Sequence, residues 1–145
     1  MAERDENCIF CAILDGRAEA SIIYRDDTVT AFMDISPVVV GHALVIPNYH
    51  TPDLAGVTTA AGGRIFEVGR RVAAAMRVSN LRCEGINLFL ADGAIAGQTV
   101  FHTHLHVLPR HRDDGFGFQH GSFSRDQPSR ETLEGLANDI KKGLA

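Results

Sequence analysis

The chain has 145 residues, 45% of them hydrophobic, enough to bury one core and too few to divide comfortably into two. Its formal net charge of −4 argues against broad binding to a polyanionic duplex, which calls for a basic excess. The opening Met1-Ala2-Glu3-Arg4-Asp5-Glu6-Asn7 lacks the apolar core of a signal peptide, and no apolar run approaches the roughly 18 residues of a membrane span. A soluble cytoplasmic protein with no nucleic-acid or membrane partner is therefore expected. Three cysteines are an odd count, and Cys8-Ile9-Phe10-Cys11 has a spacing suited to metal or redox use in a reducing compartment.

Ser21–Tyr24 and Val29–Met33 are β-branched and aromatic runs separated by Arg25-Asp26-Asp27-Thr28, which predicts a hairpin. A turn at Asp34-Ile35-Ser36-Pro37 and Gly41 leads to a third strand, His42–Ile46, stopped by Pro47. From about Pro52 to Val78, Leu54, Ile65, Val68, Val72, Ala75 and Met76 recur at helical intervals, with Gly62-Gly63 as candidates to interrupt the first turns. Ile86–Ala91 and Thr99–Leu108 then read as an antiparallel pair joined by the loop Asp92–Gly97. Pro128-Ser129 offers a cap for a final helix carrying Leu133, Leu136, Ala137, Ile140 and Leu144 on one face. No repeat or linker divides the chain. The order β-β-β-α-β-β-α predicts a single α+β domain over 1–145, with a mainly antiparallel sheet of five strands, a long helix and a C-terminal helix.

The densest chemistry lies in Gln98-Thr99-Val100-Phe101-His102-Thr103-His104-Leu105-His106-Val107-Leu108. Strand alternation would project His102, His104 and His106 from one face, about 6.6 Å apart. Core packing alone rarely asks for three imidazoles in five residues, because each buried nitrogen needs a partner. Two chemical readings stay open on the residues alone. The rings could converge on a catalytic zinc, or one neutral ring, with an ordinary pKa near 6.5, could serve as a nucleophile.

The pattern His102-Thr103-His104-Leu105-His106-Val107-Leu108, with its lead-in Gly97-Gln98-Thr99-Val100, resembles the signature of the histidine-triad (HIT) family. Cys8–Cys11, Phe32–Pro37 and His42–His50 continue that resemblance in order, so it covers roughly residues 8–112, followed by a tail and helix over 113–145. The resemblance implies the HIT-like fold, a homodimer, and a hydrolase acting at the α-phosphate of purine nucleoside conjugates. His104 would be the nucleophile, His106 the residue that bonds the phosphate or leaving group, and His42 a residue ordering the triad. Gln98, Thr99 and Val100 would surround the phosphate. Asp34 would take the ribose, and Ile9, Phe10, Ile13, Phe32 and Ile35 would form the cleft around the base of a nucleotide such as AMP. It further implies a structural zinc on Cys8, Cys11, His50 and His102, the alternative being two reduced cysteines without metal.

Ala91 departs from the family pattern, standing where many relatives carry an asparagine. Asn87, Cys83, His111 and His120 are expected to be structural or incidental, and Arg110 to be a solvated surface arginine. A diadenosine polyphosphate hydrolase or phosphorylase would use the same nucleophile. A zinc-stabilised module that binds a nucleotide without turnover is the alternative outside the enzymes.

Overall fold

The computed structural model describes residues 3–117 and 127–144. A short helix α1 (Ile9–Leu14) precedes three strands, β1 (Ile22–Arg25), β2 (Val29–Met33) and β3 (Ala43–Pro47). Helix α2 (Thr59–Arg77) follows, then β4 (Gly85–Phe89), β5 (Leu105–Arg110) and the C-terminal helix α3 (Arg130–Gly143). The five strands form one antiparallel sheet in the order β1-β2-β3-β5-β4. The fold is the α+β arrangement expected, with α1 as an addition. Among the described residues, no helix is long and apolar enough to cross a membrane.

The two faces of the sheet carry different loads. Val29 and Ala31 of β2, Ala43 and Val45 of β3, and Leu105 and Val107 of β5 alternate onto the face covered by Ile65, Val68, Val72 and Met76 of α2. Phe32, Leu44 and Ile46 point the other way and pack beneath Phe10, Cys11 and Leu14 of α1. Both faces of β2 and β3 are therefore buried, which is why these strands read as nearly continuous apolar runs. Gly69 lets α2 approach closely, since a Cβ there would come within 2.8 Å of Leu105 Cδ2.

Two expected boundaries shift. The long helix begins at Thr59 because Thr58 Oγ1 caps the Ala61 N–H; Asp53 instead caps a separate single turn, Leu54–Gly56, and Gly62-Gly63 lie unbroken within α2. The last strand begins at Leu105, well after Thr99. Val45 is the final β3 residue paired with it, and beyond that point Pro47 has no N–H to offer while its carbonyl accepts from His102 Nε2 at 3.0 Å. Thr103 N–H goes instead to the Thr51 carbonyl, 2.7 Å away. Only His106 of the three histidines therefore sits in the ladder. At the chain's end Ser129 caps α3 as expected, its Oγ accepting from the Thr132 N–H at 3.1 Å.

Candidate active site

Pairing places Phe32, Leu44, His106 and Phe89 in one row across β2, β3, β5 and β4, on the α1 side of the sheet. His104 lies just before the ladder and on the same side, its ring centroid 4.7 Å from that of His106. Both histidines line a cavity of about 410 Å³, together with Ile9, Phe10 and Ile13 of α1, Phe32 of β2, Asp34 and Ile35 just beyond it, and Thr99 and Val100. Mostly apolar walls with a few polar groups suit a ligand that has a flat apolar part and a charged part. Ile35 stands at the rim, 92% exposed.

Hydrogen bonds assign the two rings opposite roles. His104 Nδ1 lies 2.7 Å from the His102 carbonyl, which only accepts, so Nδ1 carries the proton and Nε2 keeps its lone pair. His42 Nδ1 accepts from the Val38 N–H at 3.2 Å, so neutral His42 carries its proton on Nε2, 2.7 Å from His106 Nδ1. His106 must accept there and present Nε2–H. Burial lowers the pKa of His104 and His42 and brings His106 to about 4, favouring neutral rings in each case. Asp34 Oδ2 is 3.5 Å from His42 Nε2, and its Oδ1 accepts from the Ser36 N–H.

Behind this pair lies a second group. Cys8 and Cys11 Sγ and one nitrogen each of His50 and His102 lie within 4.8 Å of one another. Cys8 Sγ is 3.5 Å and Cys11 Sγ 3.7 Å from His102 Nδ1, and Cys11 Sγ is 3.5 Å from His50 Nδ1. Thiolate and imidazole ligands on one tetrahedral zinc stand about 3.6 Å apart, so the donor set fits that ion. His102 Nε2–H is held by the Pro47 carbonyl, which turns the Nδ1 lone pair toward the sulfurs, as an outer partner of a metal ligand does. Burial raises the pKa of the Cys11 thiol, with Cys8 adding to the rise, so a metal would displace protons on binding.

The three triad rings do not converge on a single point, because His102 faces the cysteines and His104 faces a backbone carbonyl. Asp34, His42 and His106 also cluster, yet two nitrogens 2.7 Å apart share a proton and are closer than the ~3.3 Å two imidazoles keep on one zinc. The alternative of a catalytic zinc centred on the triad has no matching geometry.

Two expectations need correction. Gln98 does not line the cavity: its amide donates to the Pro52 and Val100 carbonyls and accepts from the Gly93 N–H, closing the 93–98 loop. Arg110 is no free surface arginine, for its guanidinium grips both oxygens of Asp114 and reaches Asn87 Oδ1 at 2.6 Å and the Phe116 carbonyl. Cys83 and His111 bond nearby carbonyls away from the cavity, Ala91 is buried, and His120 lies outside the described residues. Sequence reasoning missed α1 as a helix; its signal was the i, i+4 pair Phe10 and Leu14 behind the capping Cys8, too short to stand out.

The HIT domain family model matches residues 15–113, and the chain belongs to the HIT family, whose members bind nucleotides and are typically nucleotide hydrolases or transferases. A HIT-like protein of Borreliella burgdorferi is 44% identical over 117 residues, covering 80% of this chain and 84% of that one. A crystal structure of a HIT family member from Bacillus subtilis superposes with a TM-score of 0.88 at 38% identity, covering 97% of this chain and 99% of the other. A zinc-bound histidine triad family protein from Mycobacterium smegmatis is 39% identical, with a TM-score of 0.73 over 94% and 97% of the two chains.

Proposed function

We propose that this protein hydrolyses purine nucleoside conjugates at the α-phosphate through a nucleotidyl group carried on His104. The observation that carries this reading is the 2.7 Å bond from His104 Nδ1 to the His102 carbonyl, which leaves a neutral ring with a free Nε2 lone pair beside an apolar cavity. That nitrogen attacks phosphorus, the bond to the leaving group breaks, and the departing atom keeps the electron pair. His106 Nε2–H hydrogen-bonds the phosphate oxygens and the departing atom, which takes its proton from solvent. Water then attacks phosphorus, frees His104 and gives its proton back to solvent, so one difficult displacement becomes two easier ones. Thr99, Val100 and the backbone around them face the phosphate, while Gln98 shapes that loop from behind. Asp34 takes the ribose hydroxyls, and Phe10, Phe32 and Ile35 enclose the base, as in AMP.

Cys8, Cys11, His50 and His102 hold a zinc ion in this reading, supported by the donor spacing and by the zinc-bound relative. Four protein ligands close the site to substrate, so the ion's contribution is structural. His102 is thereby a ligand and takes no proton. A homodimer in the cytoplasm completes the proposal, with β4 as an unpaired edge strand bearing half-exposed Leu88 and Phe89.

The deciding experiment compares adenosine phosphoramidate, diadenosine polyphosphates and ADP-linked sugars as substrates for wild type and His104→Ala. Turnover of the first with a phosphorus-linked His104 trapped by mass spectrometry supports the proposal. AMP binding with no turnover of any of the three would identify a binding module instead.

A further inference from the structure

The metal donors and the cavity wall share one short helix. Cys8 caps the N-terminus of α1 and Cys11 lies in its first turn, while Ile9, Phe10 and Ile13 of the same helix line the cavity. A rotation or tilt of six residues cannot move the two sulfurs and spare the aromatic ring between them. Phe10 is buried and wedged among three rings. Its centroid lies 5.8 Å from His102, 5.3 Å from His104 and 5.4 Å from Phe32, each edge to face. Such contacts hold ring orientation as well as position.

His104 needs that help. Among the described residues its ring makes one hydrogen bond, to the His102 carbonyl, and a single bond fixes the proton's place while leaving the ring able to pivot about it. Phe10 packs at 86° to the imidazole and blocks that pivot. His102 adds a second link, since its ring belongs to the metal group and its carbonyl anchors His104.

We infer that Phe10 is a positioning residue that couples the Cys8–Cys11–His50–His102 metal site to His104, so that metal and nucleotide each strengthen the binding of the other. This rests on the zinc and nucleotide reading given above. Reciprocity is a thermodynamic requirement: if metal improves nucleotide affinity by some factor, nucleotide improves metal affinity by the same factor.

The test uses zinc-loaded protein, titrated with a chromophoric chelator with and without saturating AMP, for wild type and Phe10→Leu. Outer groups around a metal site commonly change affinity 10–100-fold, so AMP should raise zinc affinity about tenfold in wild type and less than about threefold in Phe10→Leu. Ring carbon–proton NMR resonances of His104 should be sharp in zinc-loaded wild type and broaden in Phe10→Leu. An equal AMP effect in both proteins overturns the inference, because stabilisation of the fold alone would act on both alike. His104 resonances as sharp in Phe10→Leu as in wild type overturn it as well. Zinc bound and AMP bound without mutual effect sinks the coupling alone, whereas failure of wild type to take up zinc, or to bind AMP by calorimetry, sinks the underlying reading too.

Discussion

His42 Nε2 and His106 Nδ1 are 2.7 Å apart, and the Val38 N–H on the far side of His42 decides which of them donates. The backbone of the loop after β2 thereby sets the proton position on a ring two strands away. Replacing His42 with phenylalanine keeps much of the volume and removes both bonds. His106 could then adopt either tautomer, and kcat should fall about 10–100-fold, the usual cost of losing an orienting partner. Rapid-quench kinetics with adenosine phosphoramidate would check this: the nucleotidyl-histidine should still form, more slowly. An unchanged rate would show that His106 does not depend on His42 for its proton.

The acid limb of the pH profile follows from burial. A nucleophilic imidazole must be neutral, and burial lowers the His104 pKa below its ordinary 6.5. Values of kcat/KM, which report the free enzyme, should therefore show an acid limb whose midpoint lies below pH 6.5. Stability moves in the same window. Burial brings His106 to about 4 in the folded chain, against 6.5 for an exposed ring, so the unfolded chain binds more protons between those values. The contribution is fully present above 6.5 and is lost as pH falls toward 4. Urea midpoints measured across that range should decline with acidity, and a flat series would contradict the burial described.

Gln98 supplies a test of what the lead-in loop is for. Its buried amide satisfies the Gly93 N–H and the Pro52 and Val100 carbonyls at 2.7–3.0 Å. Gln98→Ala leaves three backbone groups without their partner, and orphaned buried groups cost about 1–3 kcal/mol each before water re-enters. A drop of several degrees in thermal midpoint is expected, with AMP affinity falling because the loop loosens. If affinity fell while the midpoint stayed fixed, Gln98 would be touching the phosphate after all.

Which features were legible depended on whether one local rule or several competed. β2 was read to the residue because Val29 and Met33 are bounded by unambiguous turn residues. The start of α2 was not, since Asp53 and Thr58 are both good caps and only the fold decides that Asp53 serves a separate turn. The histidines share a side of the sheet as alternation requires, yet the ladder stops at Leu105 because Pro47, distant in sequence, lacks a donor. Joining Cys8 and Cys11 to His50 and His102 took a family resemblance, for no spacing rule spans those gaps. Phe10 was legible as apolar and its contact with His104 was not, because that contact exists only once α1 lies over β2 and β3.

Arg110 shows how an exposed-looking cation can be structural, and its replacement is the sharpest stability test. Nε and Nη2 grip the two oxygens of Asp114 at 2.6 and 2.9 Å, and Nη1 reaches Asn87 Oδ1 on β4 at 2.6 Å. These bonds hold the Asp114 carboxyl well below the usual carboxylate range. Asp114 in turn accepts from the His111 and Phe116 N–H groups, so the guanidinium pins the whole turn that follows β5. Lysine keeps the charge but has no planar fork and can serve only one or two of these acceptors. Arg110→Lys should lose about 1–3 kcal/mol, or a few degrees in thermal midpoint for a chain of this size. The pair lies at the end of β5 remote from His106, so kcat on adenosine phosphoramidate should hold within about twofold. A stable variant with impaired turnover would place the turn after β5 in contact with the substrate.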